Sequence, residues 1–374
     1  MRIDNVLAYC FTDMKGSVIE SRLERTPMTP ASNTKILTAY LADEEYGMNH
    51  TFETHFEKYG KSILVDGGPT FFLNPNKPEF RQKFENIIDQ IRSGSRIKSI
   101  LLANPIVDSQ RYNECWQIGD SKYSYQAPVS NFSVMENCHY KNKKNKPQEF
   151  SSIVNHASEE AYSPVRNPER YFADSILSGS NIDYYVPVKR CNVHATDVYA
   201  SHSAILSDVA THMLVESCNF YAEILFKSLS YDGKNPGDWQ KSARLAINML
   251  SSIEGSEGIR IKDGSGLCKD NLMTPIFTIN LLRHAYEKYG KSFQNLFPGQ
   301  GKGTLRNRRI NNAEDGIIAK TGTLSSVSAL SGYILSTGTI FSIFINNSVA
   351  QTNEREAFID RIVSDFIERH RSAA

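Results

Sequence analysis

Thr29-Pro30-Ala31-Ser32-Asn33-Thr34-Lys35, running into Ile36-Leu37-Thr38-Ala39-Tyr40-Leu41, is the stretch on which the reading of the chain turns. Pro30 suits the position just ahead of a helix, and Ile36, Ala39 and Tyr40 recur at the three-to-four spacing of one buried helical face. The spacing predicts a helix with Ser32 on its first turn. Residues three apart share one side of a helix, so Lys35 can hold its amine against the Ser32 hydroxyl. A serine alone is a poor nucleophile. A desolvated lysine amine can serve as its base, and backbone N–H groups at a helix N-terminus favour negative charge developing there. Ser-x-x-Lys by itself arises by chance about once or twice in a chain of this size and composition. Ser95-Arg96-Ile97-Lys98 is such a second match. The choice between the two rests on the remainder of the chain.

The chain has 374 residues, enough for two domains or one domain with a sizeable insertion. Its 40% apolar and 22% charged content is ordinary for a soluble globular protein. A net charge of +1 gives no electrostatic case for nucleic acid or an anionic membrane as partner. No apolar run reaches the length of a transmembrane segment, and the most apolar piece, Ile340 to Ile345, reads as a buried strand. Cys10, Cys115, Cys138, Cys191, Cys218 and Cys268 are scattered without zinc-like spacing. Neither a structural metal nor a cofactor is expected, and buried free thiols are the default for these cysteines, with disulfides open. The N-terminus lacks the long apolar stretch of a signal peptide, which fits a cytoplasmic chain or one whose leader has been removed or left out.

Taken in order, Val6 to Phe11 and Ser17 to Arg22 flank the turn Asp13-Met14-Lys15-Gly16 and read as paired strands. From about residue 51 the character changes. Apolar strands at Ser62 to Val65 and Ile97 to Leu102, with a helical pattern from about Pro78 to Ser93, suggest a small α/β insertion. Tyr140 to Gln148, rich in lysine and asparagine, reads as a solvated loop rather than a basic binding patch. Helical patterns follow near Pro168 to Leu177, Ala204 to Leu229, Asp238 to Ile253 and Thr278 to Tyr289. Lys262 to Leu267 is a glycine-rich turn, too short to cradle a phosphate. Gly316 to Ala319, Ala329 to Ile334 and Thr339 to Ile345 predict a three-strand antiparallel meander, and a closing helix spans about Glu354 to His370.

Three features stand in one order: Ser32-x-x-Lys35, Ser217-x-Asn219 and Lys320-Thr321-Gly322. Each is weak alone, and the ordered triple resembles that of penicillin-binding proteins and class A β-lactamases. Flanking residues sharpen the resemblance: Ala222-Glu223, Asp263-Gly264-Ser265-Gly266-Leu267, Gly303-Thr304-Leu305 with Arg308, and, in the insertion, Gly67-Gly68-Pro69-Thr70, Val107-Asp108 and Tyr125 to Ser130. Together they are similar to the class C low-molecular-mass penicillin-binding proteins, the D-alanyl-D-alanine carboxypeptidase/endopeptidase family of the penicillin-binding protein 4 type. The resemblance covers nearly the whole chain. It implies an α/β (α+β) fold: a β-lactamase/transpeptidase-like domain, with an antiparallel sheet flanked by helices plus an all-helical part, built from residues 1–50 and 160–374 and interrupted by an inserted α/β domain, 51–159.

The same resemblance implies the roles. Ser32 is the acylated nucleophile and Lys35 its base. Ser217 with Asn219 relays a proton to the leaving amine and binds the substrate backbone. Lys320 supplies positive charge, the hydroxyls of Thr321 and Thr323 bind the terminal carboxylate, and the N–H groups of Ser32 and Thr323 form the oxyanion hole. Gly322 leaves the strand edge open to an extended peptide. The expected activity is a serine-type D-Ala-D-Ala carboxypeptidase, also an endopeptidase on cross-links, with peptidoglycan stem peptides as substrates and β-lactams as covalent inhibitors. An acyl-serine esterase, a β-lactamase, a peptidase for other D-amino-acid peptides and a non-catalytic peptidoglycan-binding protein are the alternatives. The resemblance implies an extracytoplasmic location, while the absent signal peptide leaves the cytoplasm open.

The chain departs from the family pattern in places. Cys218 stands where the family usually has aspartate and is expected to point away from substrate. The short gap from Ser32 to Ser217 suggests a reduced second subdomain. The first strand begins almost at Met1, without the family's N-terminal helix, which suggests a start internal to a longer precursor. Asp263 and Ser265 are expected to shape a loop rather than do chemistry. His202, within Ser201-His202-Ser203, is expected to be a surface or loop residue, since no Gly-x-Ser-x-Gly elbow accompanies it.

Overall fold

The computed structural model describes residues 6–74, 78–93, 97, 99–140, 162–177, 184–186, 197–311 and 316–371. The second Ser-x-x-Lys match (Ser95, Lys98), the lysine-rich loop beyond Tyr140 and Cys191 lie outside the described residues. In chain order the elements are β1 (Val6–Asp13), β2 (Val18–Arg22), α1 (Thr34–Tyr46), β3 (Thr51–Tyr59), β4 (Ser62–Gly67), α2 (Pro78–Ser93), β5 (Ser99–Ala103), β6 (Cys138–Tyr140), β7 (Tyr162–Pro164), α3 (Pro168–Ile176), β8 (Tyr184–Val186) and β9 (Asp197–Ile205). There follow α4 (Leu206–Val215), α5 (Asn219–Ser228), α6 (Trp239–Met249), α7 (Pro275–Tyr289), α8 (Lys291–Gln294), β10 (Ile317–Leu324), β11 (Val327–Ile334), β12 (Thr339–Asn346) and α9 (Thr352–Arg371). Two compact units result: residues 1–44, 210–222 and 243–374, and residues 45–209 and 223–242.

The first unit is built on an antiparallel sheet of order β10-β11-β12-β1-β2. Asp13 closes the first hairpin by accepting from the N–H groups of Lys15 (2.9 Å) and Ser17 (2.8 Å), the usual role of an Asp at a turn. β11 and β12 are buried along their whole length, so they read as continuous apolar runs rather than alternating ones. The reason is that α7 and α9 both pack on the sheet. Phe11 lies between Phe366 of α9, stacked at 4.1 Å, and Phe341 of β12 at 5.9 Å. Truncating such a buried ring costs about 3–5 kcal/mol. α7 starts where its sequence dictates: Thr274 accepts from Phe277 N–H at 3.1 Å, and Pro275 occupies the first turn.

The second unit has a mixed sheet of order β8-β5-β4-β3-β9, with β4, β5 and β8 parallel and β3 antiparallel to both β4 and β9. Phe84, Ile87, Ile88 and Ile91 form the apolar stripe of α2 and join Phe56, Val65, Ile100, Leu102 and Phe172 in one core. The residue pattern predicts an insertion over 51–159. In the structure, β9 pairs with β3 from Thr51↔Ile205 to Asp197↔Lys58, which brings residues up to 209 into this unit.

Several sequence expectations are corrected here. His202 is not a surface or loop residue. It is buried on β9, with Nε2 2.5 Å from the Phe71 carbonyl, and burial lowers its pKa. The inward positions of β9 are Ala200, His202 and Ala204, too small or too polar to announce a strand. The helical pattern of 204–229 is two helices, broken at Glu216-Ser217-Cys218, where Ser217 takes the left-handed φ of 58°. Cys10, Cys138 and Cys218 are buried and in no disulfide, whereas Cys115 and Cys268 are disulfide-bonded.

Candidate active site

Ser32 follows Ala31, whose φ of 48° is costly for a residue with a Cβ, and lies in the short 3-10 turn Ala31–Asn33 that leads into α1. The turn is over-determined by its surroundings. Thr34 donates to the Ala31 carbonyl at 2.9 Å, Asn33 Nδ2 donates to the Lys320 carbonyl at 3.1 Å, and the loop carrying Gly266 presses on it from another side. A Cβ on Gly266, which has φ +84°, would come within 1.9 Å of the Ala31 carbonyl oxygen.

Lys35 is fully buried one turn later. Its Nζ lies 2.9 Å from Ser32 Oγ, 2.6 Å from Asn219 Oδ1 and 2.8 Å from the Ser265 carbonyl oxygen. The Ser265 carbonyl is placed by Asp263, whose carboxylate accepts from the N–H groups of Gly266 (2.9 Å) and Cys268 (2.7 Å) and from Asn271 Nδ2 (2.7 Å). Asp263 therefore shapes the loop, in line with expectation.

Ser217 occupies the break between α4 and α5, and its Oγ accepts from Lys320 Nζ at 3.0 Å. That amine also donates to the Thr321 carbonyl at 2.9 Å. Lys320 is fully buried, and its pKa lies well below the ordinary lysine value, chiefly through desolvation and then through the charge of Lys35, with Glu216 acting the other way. Gly322 does more than clear an edge. A Cβ there would meet the Pro30 carbonyl at 2.8 Å, Asn33 Nδ2 at 2.9 Å and Ser32 N at 3.1 Å, so only glycine lets β10 run this close to the serine turn.

β10 is the outer strand of its sheet. Ala319 N–H donates outward to the Pro298 carbonyl and the Ile317 carbonyl accepts from Gln300 N–H. By strand parity, the backbone groups of Thr321 and Thr323 face the same outer edge. Thr323 Oγ1 donates to Glu356 Oε1 at 3.4 Å, a long hydrogen bond. The structure thus brings Ser32, Lys35, Ser217, Asn219, Lys320, Thr321, Gly322 and Thr323 into one region of the first unit. Sequence reasoning missed Asn33, Asn271 and Glu356, which carry no local motif and matter only through partners far along the chain.

An antiparallel sheet whose outer strand carries Lys-Thr-Gly beside a Ser-x-x-Lys turn is the architecture of the penicillin-binding protein class. Within it, the chain matches the D-Ala-D-Ala carboxypeptidase 3 (S13) family over residues 4–175 and 165–365, and it belongs to that family. It is 29% identical over 223 residues to a penicillin-sensitive carboxypeptidase A of Dictyostelium discoideum, covering 54% of this chain and 42% of that protein. It is 35% identical over 148 residues to a D-alanyl-D-alanine carboxypeptidase of Actinomadura sp. (strain R39), covering 37% and 28%. The matched segments thus span less than half the length of these relatives. The fold superposes on penicillin-binding protein 4 of Haemophilus influenzae with a TM-score of 0.76 at 20% identity, covering 98% of this chain and 96% of that one.

Proposed function

We propose that the protein is a serine-type D-Ala-D-Ala carboxypeptidase, acting also as an endopeptidase on peptidoglycan cross-links, that works through an acyl-serine intermediate and is acylated by penicillin. One observation carries the reading: Lys35 Nζ faces Ser32 Oγ at 2.9 Å and also meets Asn219 Oδ1 and the Ser265 carbonyl, both of which are acceptors only. A neutral amine has two N–H donors and one lone pair. When Lys35 is neutral, with donors given to these acceptor oxygens, its lone pair can face the Ser32 hydroxyl, the geometry a general base needs.

Ser32 Oγ then attacks the scissile carbonyl carbon and passes its proton to Lys35. The oxyanion is held by the N–H groups of Ser32 and Thr323, one such donor being worth about 3 kcal/mol. The carbon–nitrogen bond breaks as the leaving amine takes a proton through Ser217, whose hydroxyl is oriented by Lys320. Water then opens the acyl ester and frees Ser32. Thr321 and Thr323, with the outer edge of β10, receive the residue beyond the scissile bond, and Gly322 keeps that edge against the serine turn. Asn219 binds the substrate backbone as well as Lys35. We read the first compact unit as the transpeptidase-like domain and the second as its insertion. Family membership and the disulfide-bonded Cys115 and Cys268 favour an extracytoplasmic location. No helix among the described residues is long and apolar enough to cross a membrane.

Release of D-alanine from a synthetic acyl-D-Ala-D-Ala peptide tests the reading, with ester and β-lactam turnover measured beside it. D-alanine release that is lost in Ser32→Ala is expected. Efficient ester or β-lactam turnover with no D-alanine release would transfer the site to the other acyl-serine chemistries.

A further inference from the structure

Asp263 does more than close its loop, because the peptide group it grips is the one that Lys35 uses. The Ser265 carbonyl accepts from Lys35 Nζ at 2.8 Å, and the N–H of the same peptide group, that of Gly266, donates to Asp263 Oδ1 at 2.9 Å. A peptide group is planar, so the carboxylate that fixes the N–H also fixes the direction of the carbonyl. It polarises that carbonyl as well, since hydrogen bonds in a chain strengthen one another where solvent is excluded. Asp263, Ser265 and Lys35 are all fully buried.

The carboxylate is itself braced. Oδ1 also accepts from Asn271 Nδ2 at 2.7 Å and Oδ2 from Cys268 N–H at 2.7 Å, while Asn271 Oδ1 accepts from Lys262 N–H at 2.7 Å. Donors on both oxygens suit an ionised carboxylate and not an amide, whose NH₂ would face one of them. A separate tie joins the loop to α1: Thr38 Oγ1 donates to the Gly264 carbonyl at 2.7 Å. It holds the loop through the preceding peptide group and leaves the one between Ser265 and Gly266 to Lys35 and Asp263.

We propose that Asp263 is a positioning residue for the general base: acting through the Ser265–Gly266 peptide group, it aims the carbonyl that orients the Lys35 amine toward Ser32. This role rests on the proposed function, in which Lys35 takes the Ser32 proton. A long, flexible side chain must present one lone pair to one hydroxyl, and a misplacement of about 1 Å costs about a hundredfold in rate.

The test measures penicillin acylation in the wild type, Asp263→Asn, Asn271→Ala and Thr38→Val, separating the limiting rate from the half-saturating concentration, with urea unfolding reporting the fold. Asp263→Asn is expected to lower the limiting rate about a hundredfold, with half-saturating penicillin within about threefold and every folded molecule still taking label at completion. Asn271→Ala, which keeps the carboxylate and removes one of its donors, is expected to lower it about tenfold, and it decides the matter if Asp263→Asn does not fold. Thr38→Val is expected to lose stability while its limiting rate stays within about threefold. A folded Asp263→Asn, or Asn271→Ala, that acylates at the wild-type limiting rate overturns the role. So does a Thr38→Val loss as large as that of Asp263→Asn, which would make Asp263 one loop support among several. Each of these outcomes leaves the proposed function standing, because Ser32 of the wild type is labelled. A wild type whose Ser32 takes no label defeats the proposed function, and the role of Asp263 falls with it.

Discussion

Two lysines buried to the same degree, Lys320 in the first unit and Lys227 in the second, are handled in opposite ways. Lys227 has a fixed counter-charge: Asp108 Oδ1 lies 2.5 Å from its amine, the Gln110 carbonyl accepts at 2.7 Å, and the Trp239 ring lies 4.2 Å beneath it. Burial pulls its pKa down, and Asp108 pulls it back up. Lys320 has no carboxylate within ion-pair distance among the described residues. Its acceptors are the Ser217 hydroxyl and the Thr321 carbonyl, and a second lysine depresses it further. A buried ammonium with a carboxylate is a structural tie. One that is surrounded by neutral oxygens and another amine is held out of its preferred protonation state, which is costly for folding and useful where protons move.

Substitution can break this contrast directly. Lys35→Met should cut penicillin acylation by about 10⁴-fold or more, the scale of losing one member of a nucleophile–base pair, while urea unfolding reports undiminished stability. Gly322→Ala should lower acylation about a hundredfold by pushing the serine turn off its position, with the substrate-concentration dependence less affected than the limiting rate. Lys227→Met should do the reverse of Lys35→Met: acylation stays within about threefold, and stability falls by about 2 kcal/mol in urea, less than for a fully enclosed pair because Asp108 is 32% exposed. Loss of acylation in Lys227→Met without loss of stability would erase the distinction between Lys227 and the buried lysines of the first unit, Lys35 and Lys320.

The smallest effect sharpens the second unit's side. His202 has a folded-state pKa below its ordinary value, so between the two values the unfolded chain binds the extra proton. Stability is full above about pH 6.5, the unfolded-state value, and declines as pH falls toward the folded value. Urea unfolding from pH 7.5 to 5 should show this slope, and His202→Gln should flatten it.

What the sequence made legible follows the range of the forces involved. Ser32 and Lys35 are three apart, so their meeting is written in helix geometry, and Lys320 to Thr323 announce themselves as a strand within a meander of apolar runs. The break at Ser217 was not legible, because Ala204 to Leu229 keeps a helical spacing straight through it. What stops the helix is a left-handed residue under the Gly303 turn, where a Cβ on Gly303 would meet the Val215 carbonyl at 2.3 Å. β9 was hidden by small inward side chains. Asn271, which braces Asp263, and Glu356, which faces Thr323, act through partners in other segments. No local pattern marks them.

The account rests on the Ser32 hydroxyl being the group that is acylated with Lys35 as its base. Labelled penicillin followed by proteolysis and mass mapping tests this most directly. The account predicts one adduct on the peptide containing Ser32, absent in Ser32→Ala and formed far more slowly in Lys35→Met. An adduct on Ser95, or D-alanine release from a preparation in which Ser32 never takes label, would contradict it.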